Sequence, residues 1–344
     1  MLFEKVTEII KSKPSYALLT DLTNERLGGR VLFATDDFFA EKENLIKPGR
    51  GIFIADKYTD RGKWMDGWES RRKRTPGNDW CVIQLANPGR ISGFDIDTNF
   101  FLGNHPPHAS VDGIYIEKTS SEPDWSNENL PWKELLPKSP LDPGSQNFYP
   151  CSNNETFTHI RLHIYPDGGV ARLKVYGEVV KSQDFFNTGQ EIDLAAAING
   201  GKTILCNDMF FSDMNNLIMP GRGVNMGDGW ETKRNRTPNN KDWVILKSAK
   251  PGVIHKIIVD TCHFKGNYPD SCSIEGCLTD DDESFKENKL KWETILPQQK
   301  LSPHLEHEFV NEIKSKETYS HVRLNIFPDG GISRLRLFGI AKTS

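Results

Sequence analysis

The chain has 344 residues, of which 43 are Lys or Arg and 47 are Asp or Glu. This length exceeds the usual size of one hydrophobic core, so we expect two domains. The near-balance of charge excludes a general attraction for nucleic acid or for an anionic membrane. Neither a run of roughly 20 apolar residues that crosses a bilayer nor the apolar core of a secretion signal occurs, so we expect a cytoplasmic protein.

An internal repeat dominates the sequence. Asn44–Gly51 recurs as Asn216–Gly223 with one substitution in eight positions. Further blocks follow in the same order, namely Asp66–Pro76 with Asp228–Pro238, Asp97–Pro106 with Asp260–Pro269, and Thr158–Gly177 with Ser320–Gly339. The repeat predicts an N-terminal extension over residues 1–19, a first domain over 20–177, a linker over 178–192 and a second domain over 193–344. In the extension, apolar residues fall at helical spacing at Leu2, Val6, Ile9 and Ile10.

Each copy shows the two-residue period of β-strands. Ile160, Leu162 and Ile164 alternate with His159, Arg161 and His163, which predicts a half-buried strand whose polar face is solvated or forms a subunit contact. The turn at Pro166–Gly169 then predicts a hairpin with the strand that follows. Helical periodicity is scarce, and Pro and Gly separate many short apolar runs. We therefore predict an all-β fold of two tandem jelly-roll β-sandwich domains.

The six cysteines do not recur between the copies, which favours free thiols over a disulfide framework. The group of Cys262, Cys272 and Cys277 lacks the close pairs of a zinc site. His304, Glu306, His307 and Glu308 lack the spacing of a helical metal-ligand pair and are expected on a solvated segment. The sequence therefore predicts no metal site.

The first candidate site block, Asp66–Pro76, combines a turn, a tryptophan, a carboxylate and a basic cluster. Guanidinium groups bind carboxylates through two parallel hydrogen bonds, so Arg71 and Arg72 are candidates to hold an anionic substrate, with Lys233 and Arg234 in the second copy. The alternative is a salt-bridged surface loop in which Trp68 and Trp230 serve as core anchors.

The second block, Asp97–Pro106, follows an apolar strand, where polar groups are held rigidly beside loops. Asn104 either binds a ligand or makes a turn with Gly103. His105 is a candidate for proton transfer near neutral pH, although a hydrogen-bonded loop histidine without a catalytic role fits equally. The second copy has Tyr268 in its place and has His263 where the first copy has Phe100, so the two copies differ chemically.

Three features together resemble the allantoicase family over nearly the whole chain: the Asp66–Glu69 block with its basic residues, the Asp97–Pro106 block, and the Pro166–Gly169 turn followed by Arg172. The resemblance implies two galactose-binding-like jelly rolls and hydrolysis of allantoate to ureidoglycolate and urea in purine breakdown. We also expect allantoate as the partner, a homo-oligomer, and neither cofactor nor metal. A non-catalytic tandem sandwich that binds carbohydrate or another small ligand is the rival interpretation.

Shared loop placement and chemistry define the candidate site. The catalytic candidates are Glu69, Asp97 and His105 in the first copy and Glu231, Asp260 and His263 in the second. The substrate-binding candidates are Arg71, Arg72 and Asn104 with Lys233, Arg234 and Asn267. Whether these residues form one shared site or one site in each domain is left open.

Overall fold

A computed structural model describes residues 13–117, 122–282 and 290–342 of the chain. The helical spacing noted between Leu2 and Ile10 lies outside these residues. The chain divides into two compact units, of which one spans Leu19–Val180 and the other combines the described residues from Lys181 onward with residues 13–18. Over the described ranges, no helix is long and apolar enough to span a membrane.

The first unit consists of strands joined by short 3₁₀ turns. Its strands are β1 (Thr20–Asp21), β2 (Arg30–Ala34), β3 (Tyr58–Thr59), β4 (Gly62–Lys63), β5 (Trp68–Glu69), β6 (Asp79–Asp97), β7 (His108–Ile114), β8 (Lys133–Pro140), β9 (Gln146–Pro150), β10 (Thr156–Tyr165), β11 (Gly169–Val170) and β12 (Arg172–Val179). The 3₁₀ turns lie at Ser15–Leu18, which precedes the unit, and at Glu25–Leu27 and Lys42–Ile46.

The second unit repeats this order after one short helix, without counterparts of β3 and β4 among its described residues. The helix is α1 (Gln183–Phe186), and the strands are β13 (Ile192–Asp193), β14 (Lys202–Cys206), β15 (Trp230–Glu231), β16 (Asp242–Asp260), β17 (Ser271–Cys277), β18 (Glu293–Lys300), β19 (Glu306–Phe309), β20 (Thr318–Phe327), β21 (Gly331–Ile332) and β22 (Arg334–Ala341). The 3₁₀ turns lie at Ala197–Asn199, Met214–Ile218 and Met226–Asp228.

One long strand organises each unit. In the first unit, the beginning of β6 pairs with β2 and β10, and its end pairs with β12 and β9. The sheet order is β1-β12-β6-β10-β7-β8. The second unit has the same order, β13-β22-β16-β20-β17-β18, with β14 and β19 also on β16. The predicted fold class of two tandem β-sandwich domains is confirmed.

The predicted hairpin is wrong. The chain does turn at Pro166–Gly169, but β10 and β12 do not pair with each other, because β6 lies between them in the sheet. The turn itself pairs elsewhere: β11 forms a two-stranded ladder with β5. A turn signal marks where a chain reverses, whereas the partner of each strand is set by long-range packing.

The core follows the predicted alternation on one side of β10 only. Ile160, Leu162 and Ile164 are fully buried in the main apolar cluster of the unit. The polar face was expected to be solvated or to form a subunit contact; the solvated alternative is wrong, because His159 is 7% exposed and Arg161 is 8% exposed. The loop that carries Trp125 and Trp132 covers this face, with the Arg161 guanidinium 4.7 Å from the Trp132 ring.

Candidate active site

The two candidate blocks of the first unit meet at β5. Trp68 is fully buried, and its Nε1 donates a 2.8 Å hydrogen bond to the Asp36 carbonyl, so it anchors the strand as expected. Beside it, Glu69 pairs with Gly169, whose backbone N donates to the Asn104 carbonyl at 2.8 Å. A Cβ at Gly169 would lie 2.0 Å from the ring of Phe101, so only glycine permits this approach.

This packing joins a carboxylate to an amide. Asn104 Nδ2 donates a 2.7 Å hydrogen bond to Glu69 Oε1. Burial raises the pKa of the half-buried Glu69, and the bond from Asn104 opposes that shift in pKa. Asn267 and Glu231 form the same pair in the second unit. The predicted residues Glu69 and Asn104 are therefore brought into direct contact, as are Glu231 and Asn267.

A second pair joins Asp97 to an arginine that the sequence analysis did not select. Arg50 Nε lies 2.7 Å from Asp97 Oδ2, and Arg50 Nη2 lies 2.8 Å from Asp97 Oδ1. The Asp97 side chain is fully buried, while the Arg50 side chain is 43% exposed. Over the described residues Arg50 Nη1 makes no hydrogen bond, so the guanidinium is fixed by one edge and offers donors on the other.

The second unit repeats this bidentate pair. Arg222 Nε lies 2.9 Å from Asp260 Oδ2, and Arg222 Nη2 lies 3.0 Å from Asp260 Oδ1. Asp260 is 1% exposed and Arg222 is 52% exposed. The hydrogen bond with Asp260 raises the pKa of Arg222, so this guanidinium keeps its charge. A fixed cation at the surface of each unit is suited to bind an anion.

A buried ion pair supports the loops between these groups. Arg172 Nη2 lies 2.7 Å from Asp66 Oδ2, and both side chains are almost fully buried. Asp66 Oδ2 also accepts a 2.9 Å hydrogen bond from the backbone N of Ile52. The pair therefore ties the Arg50 loop to β12. Arg334 and Asp228 occupy the same positions in the second unit, 2.9 Å apart.

The predicted anion-binding residues are not drawn into this arrangement. Arg71 is bound to Asp36, with Nη2 2.6 Å from Oδ2, and its side chain is 63% exposed. Arg72 and Arg234 are exposed, and neither forms an ion pair with any residue that the structure describes. Lys233 is also exposed and lies with Nζ 5.5 Å from the Phe210 ring. The geometry thus favours Arg50 and Arg222 as the anion-binding groups.

The candidate histidines have different surroundings in the two units. In the first, His105 is partly exposed, and its Nδ1 is buried with no hydrogen-bond partner among the described residues. Phe100 stacks on Phe53 with 5.4 Å between ring centroids. In the second unit, His263 replaces Phe100 and its Nε2 lies 2.8 Å from the Gly223 carbonyl. The two copies therefore differ at this position as expected: Phe100 makes an aromatic contact, whereas His263 makes a polar one.

The sequence contained a signal for the missed arginines. Arg50 and Arg222 lie in the eight-residue block that is almost identical between the copies. The block served only as evidence of the repeat, because an arginine between glycines and a proline is ordinarily solvated. Only the contact with a fully buried aspartate distinguishes these arginines from solvated ones.

Comparisons with known proteins identify the family. The allantoicase repeat matches residues 20–180 and 192–342. A protein named probable allantoicase from Photobacterium profundum is 51% identical over 321 residues, which cover 93% of this chain and 96% of that protein. A second protein of that name, from Pseudomonas syringae, is 50% identical over 93% of this chain and 95% of its own length. The crystal structure of allantoicase from Saccharomyces cerevisiae matches with a TM-score of 0.80 and 37% identity, covering 98% of this chain and 96% of that one. The chain belongs to the allantoicase family.

Proposed function

We propose that this chain hydrolyses allantoate to ureidoglycolate and urea. Family membership and the 51% identity to a probable allantoicase support the reaction. One observation within the fold carries the proposal. Each unit contains a glutamate hydrogen-bonded to an asparagine amide, and also an arginine fixed by a buried aspartate. The rival ligand-binding module does not account for a carboxyl group whose pKa is raised by burial.

The substrate defines what the site has to do. The central carbon of allantoate bears a carboxylate and two ureido groups. Urea leaves readily only when its nitrogen receives a proton as the C–N bond breaks, while the other ureido nitrogen donates electron density to the carbon. Water then adds to that carbon and loses a proton to a base. The reaction therefore needs a carboxylate-binding cation, a proton donor and a proton acceptor.

Arg50 and Arg222 meet the first requirement. Each guanidinium is immobilised through Nε and Nη2, so binding an anion with the remaining donors costs little side-chain entropy. Arg50 lies next to Gly51, whose carbonyl accepts a 2.8 Å hydrogen bond from Asn99 Nδ2, and this contact fixes the loop. We assign the substrate carboxylate to these arginines rather than to Arg71, Arg72, Lys233 or Arg234.

Glu69 meets the second requirement. Its raised pKa increases the fraction that carries a proton near neutral pH, and Asn104 fixes the direction of the carboxyl group. Glu69 and Asp97, the residue that holds Arg50, both contact the short segment from Gly169 to Ala171. Gly169 pairs with Glu69, and the Ala171 backbone N donates to the Asp97 carbonyl at 2.7 Å. Two residues of extended chain span about 7 Å, a distance that a small diureido acid can bridge.

Other assignments follow from burial. Asp97 and Asp260 are inaccessible and bound to arginine, which supports a positioning role rather than proton transfer. Asn104 and Asn267 are suited to hold both the glutamate and a ureido group. Proton transfer by His105 and by His263 stays a prediction, as does the choice between one shared site and one site in each domain.

The test is to incubate the purified full chain with allantoate and to measure urea and ureidoglycolate. We expect equimolar release of both products, without a nucleotide or redox cofactor. The absence of urea from a folded preparation, with and without added divalent metal, contradicts the proposal. Saturable binding on a glycan array, together with that absence, replaces the enzyme by the ligand-binding module.

Three further features belong to the same proposal. We place the enzyme in the cytoplasm as a homo-oligomer, with domains over residues 20–177 and 193–344 joined by a linker. The matched family repeats, at 20–180 and 192–342, support the division into two domains. Light scattering of the purified protein measures the oligomeric state.

A further inference from the structure

Three potential metal ligands gather in the second unit. Cys262, His263 and His304 each offer one ligand atom, and these atoms all lie within 4.8 Å of one another. Cys262 and His263 follow β16, whereas His304 lies in the loop between β18 and β19. The fold therefore brings together one sulfur and two imidazole groups that the sequence separates by about forty positions.

The ring of His263 is held in an orientation that leaves one nitrogen available. Its Nε2 lies 2.8 Å from the carbonyl oxygen of Gly223. A carbonyl only accepts hydrogen bonds, so Nε2 carries the proton of the neutral ring and Nδ1 keeps its lone pair. Metal-bound histidines commonly donate their second ring nitrogen to a backbone carbonyl in this way.

His304 occupies a backbone conformation that disfavours a side chain. Its φ is 53°, in the left-handed region, and the equivalent residue of the first unit is Gly144 with φ 63°. The equivalence rests on matching hydrogen bonds of 2.6 Å, from Thr98 Oγ1 to the Asp142 carbonyl and from Thr261 Oγ1 to the Ser302 carbonyl. A histidine where the other copy has glycine carries backbone strain, which is typical of functional sites.

The ring of His304 also turns toward the cluster. Its Nδ1 accepts a 2.8 Å hydrogen bond from the backbone N of His263, and the two ring centroids are 5.5 Å apart. This bond identifies Nδ1 as the unprotonated nitrogen of the neutral ring. A cation that binds Nδ1 takes the place of the backbone N–H.

Charged side chains of both signs lie around the cluster. Arg222 is close enough to interact electrostatically with Cys262, and it is paired with the buried Asp260. Cys262 is itself buried and lies beside that pair, since its backbone N donates to Asp260 Oδ1 at 2.9 Å. Glu306 adds a negative charge close to Arg222. His304 is exposed, so one side of the cluster is open to solvent.

We propose that Cys262, His263 and His304 bind a zinc-class divalent cation through one thiolate and two imidazole nitrogens. This donor set matches the preference of Zn²⁺ for sulfur and nitrogen, and three protein ligands leave a fourth position for water. On binding, the Cys262 thiol releases its proton to solvent, and His304 Nδ1 exchanges the His263 N–H for the cation. The first unit has Asn99, Phe100 and Gly144 at these positions, so the site belongs to the second unit alone. The inference does not depend on the proposed hydrolysis.

The experiment uses the full chain freed of metal and dialysed against Zn²⁺, with metal content measured per chain. We expect one tightly bound ion. Co²⁺ replaces Zn²⁺ as a spectroscopic probe and produces a thiolate-to-metal charge-transfer band in the near ultraviolet. Cys262→Asn and His304→Gly install the residues that the first unit tolerates at the same places, and each is expected to weaken binding at least tenfold. Cys262→Asn abolishes the charge-transfer band.

The controls remove the same residue types elsewhere. Cys151→Ser and His255→Asn, at a partly exposed cysteine and an exposed histidine, keep one bound ion and the cobalt band. Two outcomes overturn the proposal. In the first, the unmodified protein binds Zn²⁺ only as weakly as isolated surface residues such as Cys151 and His255 do. In the second, both Cys262→Asn and His304→Gly leave Zn²⁺ binding unchanged. The cobalt spectrum of the unmodified protein decides the question even where a variant fails to fold, because the absence of a thiolate band excludes Cys262 as a ligand.

Discussion

Asn104 Nδ2 donates a 2.7 Å hydrogen bond to Glu69 Oε1, and this bond joins two residues that are 35 positions apart in the sequence. Asn267 and Glu231 make the same bond in the second unit, across 36 residues. The pair therefore recurs in both copies, even though the neighbouring Phe100 differs from its counterpart. Its recurrence makes the glutamate the first residue to test.

Glu69→Gln keeps the shape of the side chain and removes its proton. We expect the double variant Glu69→Gln, Glu231→Gln to lose about 100-fold or more in kcat, because no acid remains to protonate the leaving urea. The single variant Glu69→Gln distinguishes one site from two: retention of about half the activity indicates independent sites. Urea release is the measurement, and the exposed Glu134→Gln is the control. Normal turnover in a folded double variant rejects the glutamates as proton donors.

Asn104→Ala is expected to shift the pH dependence. The hydrogen bond from Asn104 lowers the pKa of Glu69, against the larger raising effect of burial. Its loss raises that pKa, so the limb of the kcat/KM profile that reports Glu69 moves to higher pH. Steady-state rates over a pH series measure the shift. An unmoved limb, or one displaced to lower pH, shows that the limb belongs to another group.

Arg50→Lys, combined with Arg222→Lys, tests the carboxylate site. Lysine keeps the positive charge but lacks the planar guanidinium group, so it cannot form two hydrogen bonds to Asp97 and two to the substrate at the same time. We expect KM for allantoate to rise about tenfold or more, with a smaller change in kcat. Arg72→Ala is the comparison, because it tests the alternative candidate. A larger rise in KM from Arg72→Ala assigns the carboxylate to Arg72 instead.

Arg172→Met is expected to destabilise the first unit. It leaves Asp66 charged and buried without its partner, which costs about 3–5 kcal/mol. Chemical denaturation measures the change in the free energy of unfolding. The double variant Asp66→Asn, Arg172→Met is expected to lose less stability than the single variant, because no unpaired charge remains. Equal losses in the two variants refute a contribution from the buried pair.

The buried His159 is expected to make the stability of the protein depend on pH. Burial lowers the pKa of His159 from 6.5 to about 4, although Glu122 opposes the shift. Between these values the unfolded chain binds a proton that the folded chain does not, so stability is lost as the pH falls from 6.5 toward 4. His159→Gln is expected to reduce the drop in Tm between about pH 7 and about pH 5. The exposed His255→Gln leaves the drop unchanged, and an equal effect of both variants contradicts the assignment.

The tandem fold could be predicted from the sequence because its signals are local or repeated. The alternation around Ile160 requires a strand, and the recurrence of the Asn44–Gly51 block requires two copies of one domain. Glu69 and Asn104 were also found in this way, since each lies in a polar block beside an apolar strand. None of these inferences depends on which strands become neighbours in the sheet.

The remaining features depended on which distant segments meet. The position of β6 between β10 and β12 replaced the expected hairpin by a crossover, because each of these strands pairs with β6 and not with the other. Arg50 became a site candidate only through its contact with the buried Asp97. His304 reached Cys262 only because the loop before β19 packs beside the end of β16. Residue types and spacing determine what each segment can form, whereas long-range packing decides which side chains share a site.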